Sequence, residues 1–186
     1  MRSPCASPRL LLAACGLLAL CVALPATAQR KPVRPAPPRT VRDYFLLLPQ
    51  SYFEIGRDQR AIRLASRGGI VDLRHDFLHF PPQDAQGALD VALFRHKSDV
   101  LVAVYVKEVD GILDFLRYRH GHWVTVTKSV MPVAYSGDNE YALPRRGTTI
   151  RVTANKFSEE TQQRAAPVGR WVYDLVWRGG RFVVRR

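Results

Sequence analysis

The chain has 186 residues, with 28 Lys or Arg against 16 Asp or Glu and a formal net charge of +12. Its three cysteines, Cys5, Cys15 and Cys21, all fall within the first 21 residues. This excludes disulfide, thiolate-metal and cysteine-nucleophile chemistry from residues 22–186.

Residues 1–9 carry Arg2 and Arg9 and no acid, residues 10–24 are an apolar run, and "PATAQ" comes next. A cationic start, a hydrophobic centre and a small-x-small end form the pattern of a secretory signal peptide, 1–28, cut after Ala28. The apolar run is shorter than the roughly 20 residues of a membrane-spanning helix, so no transmembrane segment is expected after cleavage. An alternative is lipidation at Cys15 within "LAAC", although only residues 10–14 would then serve as the hydrophobic centre. The mature chain would keep 158 residues, enough for one ordinary domain, and 26 bases against 16 acids. Only five of those bases are lysines, and an arginine-rich surface suits bidentate contact with phosphate or carboxylate. For an exported protein the anionic partners are lipid, lipopolysaccharide or acidic cell-wall polymer, and nucleic acid is not expected.

Residues 29–40 hold four prolines and four bases and read as an extended linker. A single domain, 41–186, comes after it. Thr40 and Asp43 predict a helix N-terminus over "VRDYFLLL", ended by Pro49. A second helix is predicted in "GRDQRAIRLASRGG", residues 56–69, with Gly68 as its C-terminal cap. Both are too short to stand alone and need a sheet to lie on.

From Ile70 the periodicity becomes two. "IVDLRHDFLHF" predicts a hairpin turning at His75-Asp76, with Val71 opposite Phe80 and Asp72 opposite His79. "LDVALFRH" and "DVLVAVYVKEV" pair through Lys97-Ser98, and "VLVAV", apolar on both faces, belongs at the centre of the sheet. "DFLRYRH" and "HWVTVTKSV" pair around His120-Gly121, and Pro132 breaks the strand beyond them. Asp110-Gly111 reads as a turn, "SGDNEY" (136–141) as a loop with Asp138 and Glu140, "TTIRVTA" as a strand, and 155–169 as a polar interruption. "VYDLVWRGGRFVVRR" closes the chain as a hairpin around Gly179-Gly180. The blocks "YRHGHWV" and "WRGGRFV" share a pattern of aromatic, Arg, any residue, Gly, basic, aromatic, Val. In both, glycine answers the need for positive φ in a two-residue turn. The expected fold class is α+β, with two short N-terminal helices packed on a mostly antiparallel, meander-like sheet.

All five histidines lie between residues 75 and 122. His79, His122 and Asp72 are the metal candidates, but their spacing matches no metal signature. No nucleophile elbow, phosphate loop or dinucleotide fingerprint is present, so no catalytic residue or cofactor is assigned. Arg117, Arg119, Arg178 and Arg181 would form a basic stripe for an anionic ligand if the two aromatic hairpins shared one sheet. The expectation is an exported, periplasmic or secreted, non-enzymatic binding or structural module that contacts an anionic envelope ligand through that basic face. The alternatives are a metal-assisted hydrolase built on the histidine-bearing strands and an accessory subunit of an envelope complex.

Overall fold

A computed structural model describes residues 36–53, 60–61, 64–65, 68–82, 87–107, 111–155, 157–158, 163–164 and 169–186. The expected signal peptide and most of the linker, of the 56–69 helix and of the 155–169 interruption lie outside the described residues, as does Asp110. Residues 37–186 cluster as one unit.

The unit begins with α1 (Val41–Leu47). The Asp43 amide donates to Thr40 Oγ1 at 3.3 Å, and the Thr40 amide donates to Asp43 Oδ2 at 2.9 Å. Two of the amides left without helical partners are thereby satisfied reciprocally. A 3-10 turn (Gln50–Tyr52) comes next.

The larger sheet is a six-stranded antiparallel meander: β1 (Ile70–Asp72), β2 (Phe77–Phe80), β3 (Ala88–His96), β4 (Asp99–Lys107), β5 (Ile112–Arg119) and β6 (His122–Thr125), in that spatial order. β3 and β4 join through Lys97-Ser98 with His96 opposite Asp99, and Lys97 takes φ +55°. β5 and β6 join through His120-Gly121 with Tyr118 opposite Trp123, and Gly121 takes φ +88°. β4 is covered on both sides. Val102 and Val104 belong to the core shared with α1, whereas Leu101, Ala103 and Tyr105 belong to a second core. That double burial is what an apolar run without alternation requires.

The second core lies against a second sheet. After α2 (Thr127–Val130), the strands β7 (Asn139–Ala142), β8 (Thr149–Ala154), β11 (Trp171–Arg178) and β12 (Arg181–Arg185) pair in the order β12-β11-β8-β7. Between them β9 (Phe157–Ser158) and β10 (Gln163–Arg164) form a two-stranded ribbon. The described residues are therefore mostly antiparallel β, in two main sheets, with α1 and α2 as short helices. The larger sheet is sandwiched between α1 and the smaller one. Among the described residues no helix is long and apolar enough to cross a membrane.

Three local expectations are corrected. The β1–β2 register places Val71 opposite Leu78 and Asp72 opposite Phe77, so the loop is the four residues 73–76. Asp72 sets this loop, because its Oδ1 accepts from the His75 amide at 3.2 Å and lies 2.9 Å from His75 Nδ1. β6 stops at Thr125 and the chain enters α2 instead of running on as strand. Thr127 makes the corner: its Oγ1 accepts from the Phe115 amide at 3.0 Å and donates to Asp114 Oδ1 at 3.1 Å. Finally, Glu140 lies on β7 and not in a loop, because Tyr141 beside it is fully buried between the sheets.

Candidate functional site: a basic end of the sandwich

Antiparallel pairing sends alternate loops to the same end of a sheet. At one end of this sandwich five connections meet: 73–76, Lys97-Ser98, His120-Gly121, 143–148 and Gly179-Gly180. Contacts join them into one surface. Arg95 donates from Nε to Asp76 Oδ2 at 2.7 Å and from Nη2 to Asp76 Oδ1 at 3.0 Å, tying the first loop to β3. Trp177 Nε1 donates to the Arg95 carbonyl at 3.2 Å, which brings the second sheet alongside. The His96 ring packs on Gly180, 3.5 Å from where a Cβ would stand. Arg117 Nη2 reaches the Gly180 carbonyl at 3.5 Å. Arg145 donates to Asp72 Oδ2 at 2.7 Å, joining 143–148 to β1.

The charges at this end are unbalanced. The first loop brings Arg74 with Asp72 and Asp76, and the β3–β4 turn brings Arg95 and Lys97 with Asp99. The β5–β6 turn brings Arg117 and Arg119, the fourth connection Arg145 and Arg146, and the last Arg178 and Arg181. Nine cations thus face three carboxylates, a surplus of six, and every one of the nine except Arg117 is exposed. Four of the five histidines, His75, His96, His120 and His122, stand among them. Concentrated charge of one sign at a single end raises the local potential well above that of the same charges dispersed.

Not all of these cations are equally available. Arg117 Nε stands 2.9 Å from Asp99 Oδ2, but its N–H finds no hydrogen-bond partner, so this contact is electrostatic. Arg119 Nη2 is 3.6 Å from Asp99 Oδ1, and its side chain is 56% exposed. Arg178 and Arg181 stand directly opposite each other across β11 and β12. Like charges in cross-strand register are destabilising, and among the described residues neither forms an ion pair with a carboxylate. Stability alone does not call for this arrangement. Elsewhere arginines have structural work: the buried Asp174 accepts from Arg185 Nη2 at 2.6 Å and lies 3.7 Å from Arg151 Nε.

The four arginines singled out in the sequence are therefore not a stripe on one sheet, because their hairpins belong to different sheets. They meet instead at the tips, through the Arg117–Gly180 contact. His120 lies in the turn at φ +51° and His122 is exposed opposite Arg119. His79, His122 and Asp72 are not brought together. His79 Nδ1 is 2.6 Å from Asp90 Oδ1, Asp72 is engaged by His75 and Arg145, and His122 stands on the far strand of the meander. Among the described residues no group of three or more potential metal-ligating side chains converges. Lys107 Nζ approaches Asp90 Oδ2 at 3.1 Å, so this carboxylate is held by two cationic or donating partners.

Two concavities add to what the sequence suggests. A pocket of about 370 Å³ lies at the basic end, lined by Tyr44, Ser98, Asp99, Val100, Tyr118, Arg119 and His120. A groove of about 850 Å³ runs along the start of β5, the β6–α2 corner and residues 131–135. In the groove Asp114 Oδ2 accepts from the Tyr52 hydroxyl at 2.6 Å. Burial, and then this contact, hold the Tyr52 phenol well above its ordinary range. The groove has one signal in the sequence, an apolar residue at a position that alternation assigns to solvent: Ile112, 51% exposed.

The loop ties carry a pH signature. Hydrogen bonds from Arg145 and then His75 pull the Asp72 carboxyl down to about 2, from an ordinary 3.8. A carboxylate depressed on folding contributes stability that is complete above its unfolded pKa and is lost as pH falls through the folded one. The thermal midpoint should therefore drop between pH 4 and pH 2. The Asp72→Asn variant should show a shallower drop in that window, measured by circular dichroism melts. An unchanged slope in the variant would remove Asp72 from the acid response.

No protein family model matches the chain, and neither does any curated protein or solved structure.

Proposed function

We propose that this protein is an exported, non-enzymatic module that binds an anionic ligand of the envelope through the basic end of its sandwich. One observation carries the reading: five connections from two sheets bring nine cations against three carboxylates to one surface. The like-charge register of Arg178 and Arg181 supports it, because such a pair gains its return only when an anion sits beside it. Export is inferred from the signal pattern of residues 1–28.

The test is the salt dependence of anion binding by the purified protein. Binding to long-chain polyphosphate and to vesicles containing phosphatidylglycerol is measured from 50 to 300 mM NaCl. Surface charges are screened over about 8 to 10 Å at 0.1 to 0.15 M salt, so the affinity should fall steeply across this range. The absence of binding at 50 mM, or binding indifferent to salt, would reject the basic end as the binding surface.

A further inference from the structure

The pocket at the basic end holds more than positive charge, and its chemistry narrows the ligand; the inference rests on the basic-end reading. The pocket's volume, about 370 Å³, lies within the range of small-ligand clefts, roughly 300 to 1,000 Å³. Its aromatic wall is braced. The Tyr118 ring packs on Trp123 with centroids 5.1 Å apart, and Trp123 is fixed by donating from Nε1 to the Leu47 carbonyl at 2.6 Å. Tyr44 closes on the same indole from α1, with centroids 6.2 Å apart. Tyr118 is only half-buried and so presents a supported ring to the cavity.

Around that ring stand groups of both hydrogen-bonding kinds. Arg119 is a donor held only loosely, at 3.6 Å from Asp99. Asp99 is an acceptor whose side chain is 38% exposed, and Ser98 and Tyr118 carry hydroxyls able to donate or accept. A phosphodiester or polyphosphate oxygen only accepts, and the Asp99 carboxylate repels it. A sugar bearing a carboxylate uses both kinds: its hydroxyls donate to Asp99 while its own carboxylate accepts from Arg119 in the fork geometry that guanidinium favours. The apolar face of a pyranose ring also suits a rigid aromatic wall.

We infer that this pocket seats one residue of a carboxylated polysaccharide, with the ring against Tyr118, the carboxylate on Arg119 and a hydroxyl donating to Asp99. The remaining cations of the basic end then track the polymer's further carboxylates. The ligand class is thereby an acidic glycan, distinguished from a phosphate polymer or a lipid surface by the carboxylate that the site itself contains.

The experiment compares trigalacturonate and polyphosphate binding by calorimetry, in the unmodified protein and in two variants. Asp99→Ala removes an acceptor and a negative charge. It should weaken trigalacturonate at least tenfold while polyphosphate binds more tightly, an opposition of sign that net charge cannot produce. Ser98→Trp fills the pocket from an exposed turn without altering charge or core. It should abolish trigalacturonate binding while polyphosphate, held by the exposed cations around the pocket, loses much less, and it decides the matter if Asp99→Ala does not fold. Tighter binding of both ligands to Asp99→Ala, or unchanged trigalacturonate binding by Ser98→Trp, overturns the glycan pocket and leaves the basic end standing. Failure of the unmodified protein to bind either ligand overturns both.

Discussion

Reversing two charges, in Arg178→Glu with Arg181→Glu, should lower affinity for polyphosphate at 50 mM NaCl by two to three orders of magnitude. A cation near an anionic surface contributes about 1 kcal/mol, and reversal replaces attraction by repulsion of similar size. Two reversals thus change the binding free energy by about 4 kcal/mol, with about 1.4 kcal/mol for each factor of ten. The fold should tolerate the change. Both side chains are exposed at the hairpin tip, and no core residue depends on them. The control is Arg170→Glu with Arg186→Glu, which alters net charge equally at the other ends of β11 and β12. Because the potential is concentrated and screened, this control should lose less than tenfold. Equal losses in the two double variants would mean that net charge acts, with no preferred surface.

The second large effect concerns the scaffold that gathers the loops. Phe94→Ala should destabilise the protein by about 3 to 5 kcal/mol, the usual range for an aromatic side chain deleted from a core. Phe94 is 1% exposed and packs from β3 against Trp177 and Phe182 of the second sheet, at centroid distances of 5.8 and 5.0 Å. Removing it opens a cavity where the sheets meet, next to the Trp177–Arg95 bond that links their ends. A domain of this size holds about 5 to 15 kcal/mol in all, so urea unfolding should show the midpoint reduced by about a fifth or more. A loss below about 1 kcal/mol, small against that range, would mean that the sheets are not held together through this contact.

Local signals in the sequence carry much of this architecture. Glycine and the flanking rings mark the turns at His120-Gly121 and Gly179-Gly180, where Tyr118 meets Trp123 and Trp177 meets Phe182 as expected. The unbroken apolar run in β4 marks a strand covered on both faces. What local signals do not carry is the partition into two sheets. Both aromatic hairpins have the same pattern, and nothing in a hairpin states which neighbour its outer edge joins. That decision belongs to β8, which pairs with β11 on one side and β7 on the other. β7 itself is hidden because its polar residues, Asn139 and Glu140, come after Gly137-Asp138 and read as loop. The register at Asp72 escapes the pattern for a related reason: its side-chain bonds to His75 favour a wider loop over the tighter two-residue turn. The basic end is not legible along the chain at all. Its nine cations are scattered from residue 74 to residue 181, and only the alternation of antiparallel strands brings them together.

That gathering is open to direct observation. Amide chemical shifts of the ¹⁵N-labelled protein, recorded during titration with polyphosphate, report which backbone segments meet the anion. The largest changes should fall in residues 72–76, 95–99, 117–122, 145–148 and 177–181, with little at the opposite end around Asp90, Glu140 and Arg170. Changes spread evenly over the molecule, or centred on the groove beside Ile112 and Met131, would contradict the assignment of this end as the binding surface.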